Sequence, residues 1–240
     1  MVKGLTSADL GPPDYQKALE QHDAYIAALE SCGLEVAVLP QLEDFPDSCF
    51  IEDVALLTPR CGIITRPGAP SRVGEIRGMS EILNRYFDAV EVIQPPGTLE
   101  GGDILAAGSH YYIGLSGRTN SEGARQLIGI LEKYGFSASV VPLEESLHLK
   151  TAVSYLEGNS LLAAGELLAR EEFSEFKRLA VPDEEAYAAN CIWVNGVVLV
   201  PAGFPRTAQM ILEAGFDILV VDVSEFRKLD GGLSCLSLRF

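Results

Sequence analysis

Nucleophilic and proton-transfer chemistry falls mainly to cysteine, histidine and carboxylate side chains, and a few segments of this sequence place them in telling surroundings. Cys235 stands in Asp230-Gly231-Gly232-Leu233-Ser234-Cys235-Leu236-Ser237. Paired glycines let a backbone approach a ligand closely or turn with positive φ, so a thiol just after them is a candidate nucleophile. The other cysteines, Cys32, Cys49, Cys61 and Cys191, fall at a helix end, in a loop or in strands, where a small buried hydrophobe is the ordinary role. Of the three histidines, His22 lies in an amphipathic helix and His110 in a hairpin turn, both solvent-facing places. His148 differs, entering a strand from the apolar stretch Leu147-His148-Leu149-Lys150-Thr151. There it is either an acid/base group or a buried imidazole satisfied by a backbone partner.

Carboxylates cluster twice. Gly97-Thr98-Leu99-Glu100-Gly101-Gly102-Asp103-Ile104-Leu105 sets two acids beside paired glycines at the start of a strand. It lacks the Lys-Ser/Thr ending and the G-x-G-x-x-G spacing of phosphate loops. Its acids suit holding a guanidinium or orienting a histidine, or form a plain acidic turn. The second cluster is Phe45-Pro46-Asp47-Ser48-Cys49-Phe50-Ile51-Glu52-Asp53. Arg72, after Arg66-Pro67-Gly68, and Arg118, in Ser116-Gly117-Arg118-Thr119-Asn120, oppose them, with surface salt bridging as the alternative role.

The elements that must position these residues repeat. Four pairs of apolar runs read as β-hairpins: Val54–Leu57 with Gly62–Thr65, Ile104–Ala107 with Tyr111–Gly114, Ala152–Leu156 with Leu161–Ala164, and Cys191–Val194 with Val197–Pro201. The last turns on Asn195-Gly196, the type I′ signature; the others turn at Pro59, Gly108 and Gly158-Asn159. Helical patterns follow three of them: Glu75–Phe87 before the strand Val90–Ile93, Asn120–Tyr134 before Ser139–Leu143, and Arg206–Ala214 before Ile218–Val221. Gly135 and Gly215 end two of these helices, as Gly33 ends a first helix, Asp14–Ser31, ahead of a strand Glu35–Leu39. The unit is strand–strand–helix–strand, used about four times, and Leu233–Phe240 is placed to complete a fifth. A closed ring of five units accounts for this pattern better than an α+β sandwich without symmetry.

Composition bounds the rest. At 240 residues, 48% hydrophobic and 22% charged, the chain is an ordinary globular protein, neither fibrous nor disordered. Lys and Arg total 18 against 34 acids, a net charge of -16, which argues against nucleic acid or an anionic membrane as partner and suits a small cationic substrate. No signal-peptide core or membrane-length apolar run appears. Five scattered cysteines without metal spacing suggest reduced thiols in a cytoplasmic protein.

Taken in order, these segments resemble the dimethylarginine dimethylaminohydrolase family, its bacterial branch above all, within the guanidino-group-modifying pentein superfamily. The resemblance runs from Gly4-Leu5-Thr6 to Ser237-Leu238-Arg239-Phe240. It rests on Phe45-Pro46-Asp47, Glu52-Asp53, Thr65-Arg66-Pro67-Gly68, Leu99-Glu100-Gly101-Gly102-Asp103, Arg118-Thr119-Asn120, Leu147-His148-Leu149-Lys150-Thr151, Ala189–Asn195 and Asp230–Cys235. It implies a single-domain five-bladed α/β propeller over residues 1–240, and hydrolysis of Nω,Nω-dimethylarginine or Nω-monomethylarginine to citrulline and an alkylamine. Cys235 matches the family's nucleophile, His148 its general acid/base and Glu100 the acid that positions the histidine. Glu52 and Asp53 match positions near the guanidinium. Asp47 and the carbonyls of Leu5 and Leu229 match the recognition of the substrate amine, and Arg72 and Arg118 the clamp on its α-carboxylate. The resemblance implies no metal or organic cofactor, and a monomer or a homodimer.

Family members have a further strand before the Gly-Leu-Thr segment, whereas only Met1-Val2-Lys3 stand there here. The expectation is an unsatisfied edge at Leu233–Phe240, with lower stability or closure by another chain. Competing readings are an arginine deiminase, which is usually longer, an amidinotransferase, and a non-catalytic binder of arginine analogues. The trio Glu100, His148 and Cys235 speaks against the binder.

Overall fold

The computed structural model describes residues 1–240. Helix α1 (Tyr15–Ser31) begins at Asp14, whose carboxylate accepts from the Lys17 amide at 3.1 Å, and it buries Ala18, Gln21, Tyr25, Ala28 and Leu29 on one face. It ends before Gly33, which takes φ +85°. The strand expected at Glu35–Leu39 is not formed, and Leu233–Phe240 also carries none. The latter segment instead makes a 3-10 turn at Ser234–Leu236. An extended segment becomes a strand only when a neighbouring strand takes its N–H and C=O groups in a ladder, so composition alone does not make one.

All four expected hairpins are present, each extended by a third, parallel strand into a small sheet. The first comprises β1 (Ala55–Leu57), β2 (Gly62–Ile64) and β3 (Val90–Val92); the second comprises β4 (Ile104–Ala107), β5 (His110–Leu115) and β6 (Ser137–Pro142). The third is β7 (Val153–Tyr155), β8 (Ser160–Ala163) and β9 (Lys177–Ala180), and the fourth β10 (Ile192–Val194), β11 (Val197–Pro201) and β12 (Asp217–Val221). In every sheet the hairpin's second strand is central, as in Ile113 pairing antiparallel with Ile104 and parallel with Val140. Asn195 and Gly196 take φ of 48° and 93°, the positive pair a type I′ turn requires. His110, expected in the turn, is the first residue of β5, and its ring nitrogens lie 2.7 and 2.8 Å from the Ser137 and Ser139 hydroxyls. His22 is half-buried on α1.

One of the three expected crossover helices differs. Glu75–Phe87 is not one helix: a 3-10 stretch, Pro70–Ile76, gives way at Gly78 (φ +77°) to the short helix α2 (Met79–Leu83). A residue in the left-handed region cannot continue a helix, so the pattern breaks there. Helix α3 (Ser121–Lys133) is capped by Asn120, its side chain accepting from the Gly123 amide at 2.8 Å. Helix α4 (Pro205–Glu213) links β11 to β12, while the β8–β9 connection holds only 3-10 turns, Gly165–Ala169 and Glu171–Phe173.

The chain divides into two compact units, Met1–Cys49 with Ala152–Ser234, and Phe50–Thr151 with Cys235–Phe240. The first has a core of Leu162, Val198, Val200 and Ile211, each fully buried. The second is built on Ile63, Leu99, Ile113, Leu127 and Leu131, also fully buried. Truncating one of these leucines to alanine costs about 2–5 kcal/mol. A 3-10 turn precedes the first strand of each hairpin: Ile51–Val54, Gly101–Asp103, Leu149–Thr151 and Asp183–Ala189. The repeat thus delivers Glu52 and Asp53, then Glu100, then His148 at corresponding places in successive units.

Candidate active site

Within the second unit, Glu100 is completely buried and its Oε2 lies 2.7 Å from His148 Nε2. The other carboxylate oxygen accepts from the amides of Gly68 at 2.9 Å and Ala69 at 3.3 Å. The Thr119 hydroxyl accepts from the Glu100 amide at 3.1 Å, so side chain and backbone are both fixed. Arg118, with 23% of its side chain exposed, approaches Glu100 Oε1 to 3.7 Å. His148 opens a 3-10 turn, five residues ahead of β7, rather than sitting at the strand's edge.

Asp53 approaches the same imidazole. Its Oδ1 accepts from the Gly102 amide at 2.9 Å and its Oδ2 pairs with the Arg72 guanidinium at 2.6 Å. Arg72, only 5% exposed, donates from Nε to both oxygens of Glu75 at 3.1 and 3.0 Å, and from Nη2 to Glu75 at 2.8 Å and the Phe50 carbonyl at 3.0 Å. The structure therefore sets Arg72 between Asp53 and Glu75. Burial would lower its pKa, but the two carboxylates outweigh that and hold it above the ordinary arginine value.

These charges decide the state of His148. Burial favours the neutral ring, yet the negative charge of Asp53, the hydrogen bond the ring donates to Glu100 and the charges of Asp103 and Glu100 outweigh it, and the pKa is pushed up to about 9. The ring is an imidazolium at neutral pH. For Asp53 burial is likewise outweighed, by His148 and then Arg72, and its carboxyl falls below the usual range. One donor atom each from Asp53, Glu100 and His148 lie within 4.8 Å of one another, a grouping that could hold a cation. A metal there would have to displace the proton of His148 and compete with Arg72 for Asp53.

Three further side chains support the site: Asp103, one of the two acids noted at the start of β4, and Lys150 and Glu75, to which the sequence reading gave no role. Asp103, fully buried, accepts from the Ser116 hydroxyl at 2.6 Å and from the Leu149 amide at 3.0 Å, tying β4 to the residue after His148. Burial raises its pKa. Lys150 reaches Glu52 Oε1 at 2.6 Å, and Glu75 completes the cage around Arg72. Asp103 and Lys150 stand inside the segments already singled out, two or three residues from Glu100 and His148; Glu75 gave no signal.

Cys235 is half-buried in the 3-10 turn Ser234–Leu236 and belongs to the same compact unit as Glu100 and His148. After it, Leu238 packs on the cluster of Val54, Ala55, Ile64, Met79 and Leu83, and the Phe240 ring lies 5.2 Å from Phe87 and 5.4 Å from Tyr86. All five cysteines are free thiols. Burial pushes the Cys61 and Cys191 thiols up, which makes both poor nucleophiles. In the first unit, Asp47 is 3% exposed and accepts from the Leu5 amide at 2.8 Å. Gly4 brings that segment so close that a Cβ would lie 2.6 Å from Asp47 Oδ1 and 3.2 Å from Leu229 Cδ1. Leu5, Asp47 and Leu229 are thus gathered together. No helix is long and apolar enough to cross a membrane.

The family model described as N,N dimethylarginine dimethylhydrolase, eukaryotic, matches residues 14–164. The N(G),N(G)-dimethylarginine dimethylaminohydrolase of Pseudomonas aeruginosa is 58% identical over 100% of this chain and 95% of its own length. That of Streptomyces coelicolor is 39% identical over 100% of this chain and 92% of its own. A solved structure of the P. aeruginosa protein, a mutant complexed with citrulline, superposes with a TM-score of 0.98 at 57% identity, covering 100% of this chain and 94% of that one. Similarity on this scale, unbroken along the sequence and repeated in the fold, makes this chain a member of the dimethylarginine dimethylaminohydrolase family.

Proposed function

We propose that the chain hydrolyses Nω,Nω-dimethyl-L-arginine, and Nω-monomethyl-L-arginine, to L-citrulline and dimethylamine or methylamine. The observation that carries the reading is the buried His148 held by Glu100 at 2.7 Å among carboxylates that favour its charged form, in the same unit as a half-buried thiol. The citrulline in the P. aeruginosa structure supports it further.

The Cys235 thiolate attacks the guanidinium carbon, forming the C–S bond. The His148 imidazolium gives its proton to the methylated nitrogen, and the C–N bond breaks with departure of the neutral amine. A thiouronium remains. Neutral His148 then takes a proton from water as its oxygen bonds to the same carbon, the C–S bond breaks to return the thiolate, and the remaining hydroxyl proton passes to solvent as citrulline is released. A resonance-stabilised cation is a poor electrophile, so fixed charge around the thiolate and the carbon must supply the activation. Asp53, with Glu52, provides negative charge beside the guanidinium. Asp47 and the carbonyls of Leu5 and Leu229 take the α-amine. Arg118, the more exposed of the two arginines, takes the α-carboxylate, and Arg72 joins it only by releasing one of the carboxylates that hold it, Asp53 or Glu75. The steps call for no metal or organic cofactor. The finer architecture, one five-bladed propeller domain, is part of the proposal, as are a cytoplasmic site, consistent with five free thiols, and action as a monomer or homodimer.

The test is citrulline release from asymmetric dimethylarginine and from arginine, beside Cys235→Ser. Turnover of the methylated substrate alone, lost in the variant, is the expected result. Preference for arginine would move the assignment to a deiminase, and silence on both in a folded protein would overturn the reading.

A further inference from the structure

His148 and Cys235 are far apart in sequence, yet the segments that follow them lean on one buried carboxylate. Glu52, 3% exposed, accepts from Lys150 Nζ at 2.6 Å through Oε1, and Lys150 leaves only 17% of its side chain exposed. The same oxygen lies 3.9 Å from the Arg239 guanidinium, which also donates to the Ser237 hydroxyl at 2.5 Å and the Ser237 carbonyl at 3.3 Å. Lys150 sits in the turn closed by the Thr151 amide donating to the His148 carbonyl at 3.2 Å. Ser237 and Arg239 stand two and four residues after Cys235. A lysine ordered and desolvated in this way sacrifices rotamer freedom and hydration, so the pair holds only while its geometry is kept.

We propose that Glu52, acting through Lys150 and Arg239, sets the His148 turn and the Cys235 segment in register, which makes the two cations positioning residues for the reaction. The inference rests on the roles proposed above for His148 and Cys235, and it adds a second task to that of Glu52 beside the guanidinium. Without Lys150 the turn bearing His148 keeps the Asp103 bond to the Leu149 amide but loses its link to the turn Ile51–Val54. Small misplacements of reacting groups cost rate rather than affinity.

Two quantities test this in the wild type, Lys150→Met, Lys150→Arg and Arg239→Met: kcat and KM for asymmetric dimethylarginine, and the rate at which iodoacetamide alkylates Cys235 without substrate. Lys150→Met is expected to lower kcat by about tenfold or more with KM changed by less than about threefold, and to slow alkylation alongside. Arg239→Met should act in the same direction more weakly, and Lys150→Arg, which keeps the charge, should recover most of the loss. A folded Lys150→Met with kcat and alkylation within about twofold of wild type overturns the proposal, as does a rise in KM alone. Should Lys150→Met fail to fold, the double variant Glu52→Gln/Lys150→Met removes both charges of the buried pair, and wild-type alkylation in it overturns the proposal. Alkylation needs no substrate. A protein inactive on methylarginines in which Lys150→Met still slows it would retire the proposed reaction and keep this inference.

Discussion

Glu100 Oε2 stands 2.7 Å from His148 Nε2, while Glu100 Oε1 is held by the amides of Gly68 and Ala69. The carboxylate is thereby locked on one side by backbone and presents one oxygen to one nitrogen. Glu100→Gln keeps the shape and removes the charge. It is expected to lower kcat by about 10²-fold and to move the pH at which activity falls toward neutrality, as the imidazolium loses its partner. A pH–rate profile of the variant checks both; an unmoved profile would show that Glu100 does not set the charge of His148.

The ionisation of His148 links stability to pH. Its folded pKa of about 9 lies above the ordinary 6.5, so its contribution is complete below about pH 6.5 and is lost as pH rises through about 9. A shift of this size corresponds to roughly 3 kcal/mol. Asp53 has the opposite sign: its carboxyl is depressed, so its contribution is present above the usual carboxylate range and is lost as pH falls through its lower folded value. Thermal midpoints should therefore decline from pH 6.5 to 9 in the wild type and decline less in His148→Gln. Equal slopes in the two proteins would contradict the assignment.

Gly102 lies against the imidazole. A Cβ there would meet His148 Cγ at 2.9 Å and Nδ1 and Asp53 Oδ1 at 3.0 Å, so Gly102→Ala must displace the ring or the carboxylate. It should cost about tenfold or more in kcat, read by steady-state kinetics. Gly129→Ala is the control: exposed in α3 with nothing near its missing Cβ, it should raise stability by up to about 1 kcal/mol and leave kcat unchanged.

The two arginines should separate. Arg72→Met strands Asp53 and Glu75 in the interior and should destabilise the fold by about 3–5 kcal/mol, visible in denaturant unfolding. Arg118→Met removes a partly exposed group and should change stability by less than about 1 kcal/mol while raising KM by about tenfold or more. If Arg118→Met left KM unchanged, the α-carboxylate role would pass from it.

Much of the scaffold was legible because its determinants are local. Asp14 and Asn120 cap helices, Gly33, Gly135 and Gly215 take positive φ after them, and Asn195-Gly196 closes a hairpin, all through interactions within a few residues. The segment after Gly68 was less legible, since the helical period of Glu75–Phe87 runs through Gly78, where the backbone turns left-handed. Glu35–Leu39 has the composition of a strand and forms none, because a strand depends on a partner that composition does not supply.

By itself the sequence determined the chemical inventory: a thiol after paired glycines, a histidine in an apolar segment, acids at the starts of strands, and a repeat that sets them at matching positions. Only the tertiary structure decided their states and allegiances. Arg72 could have faced solvent, and the fold places it between Asp53 and Glu75. Lys150 could have been a surface charge, yet it is paired with a glutamate 98 residues away. An ordinary histidine pKa near 6.5 becomes one near 9 because three carboxylates converge where water is excluded. Local rules act through neighbouring dihedrals and hydrogen bonds, whereas charge pairing depends on which distant residues share a low-dielectric interior, and that is set only when the chain closes on itself.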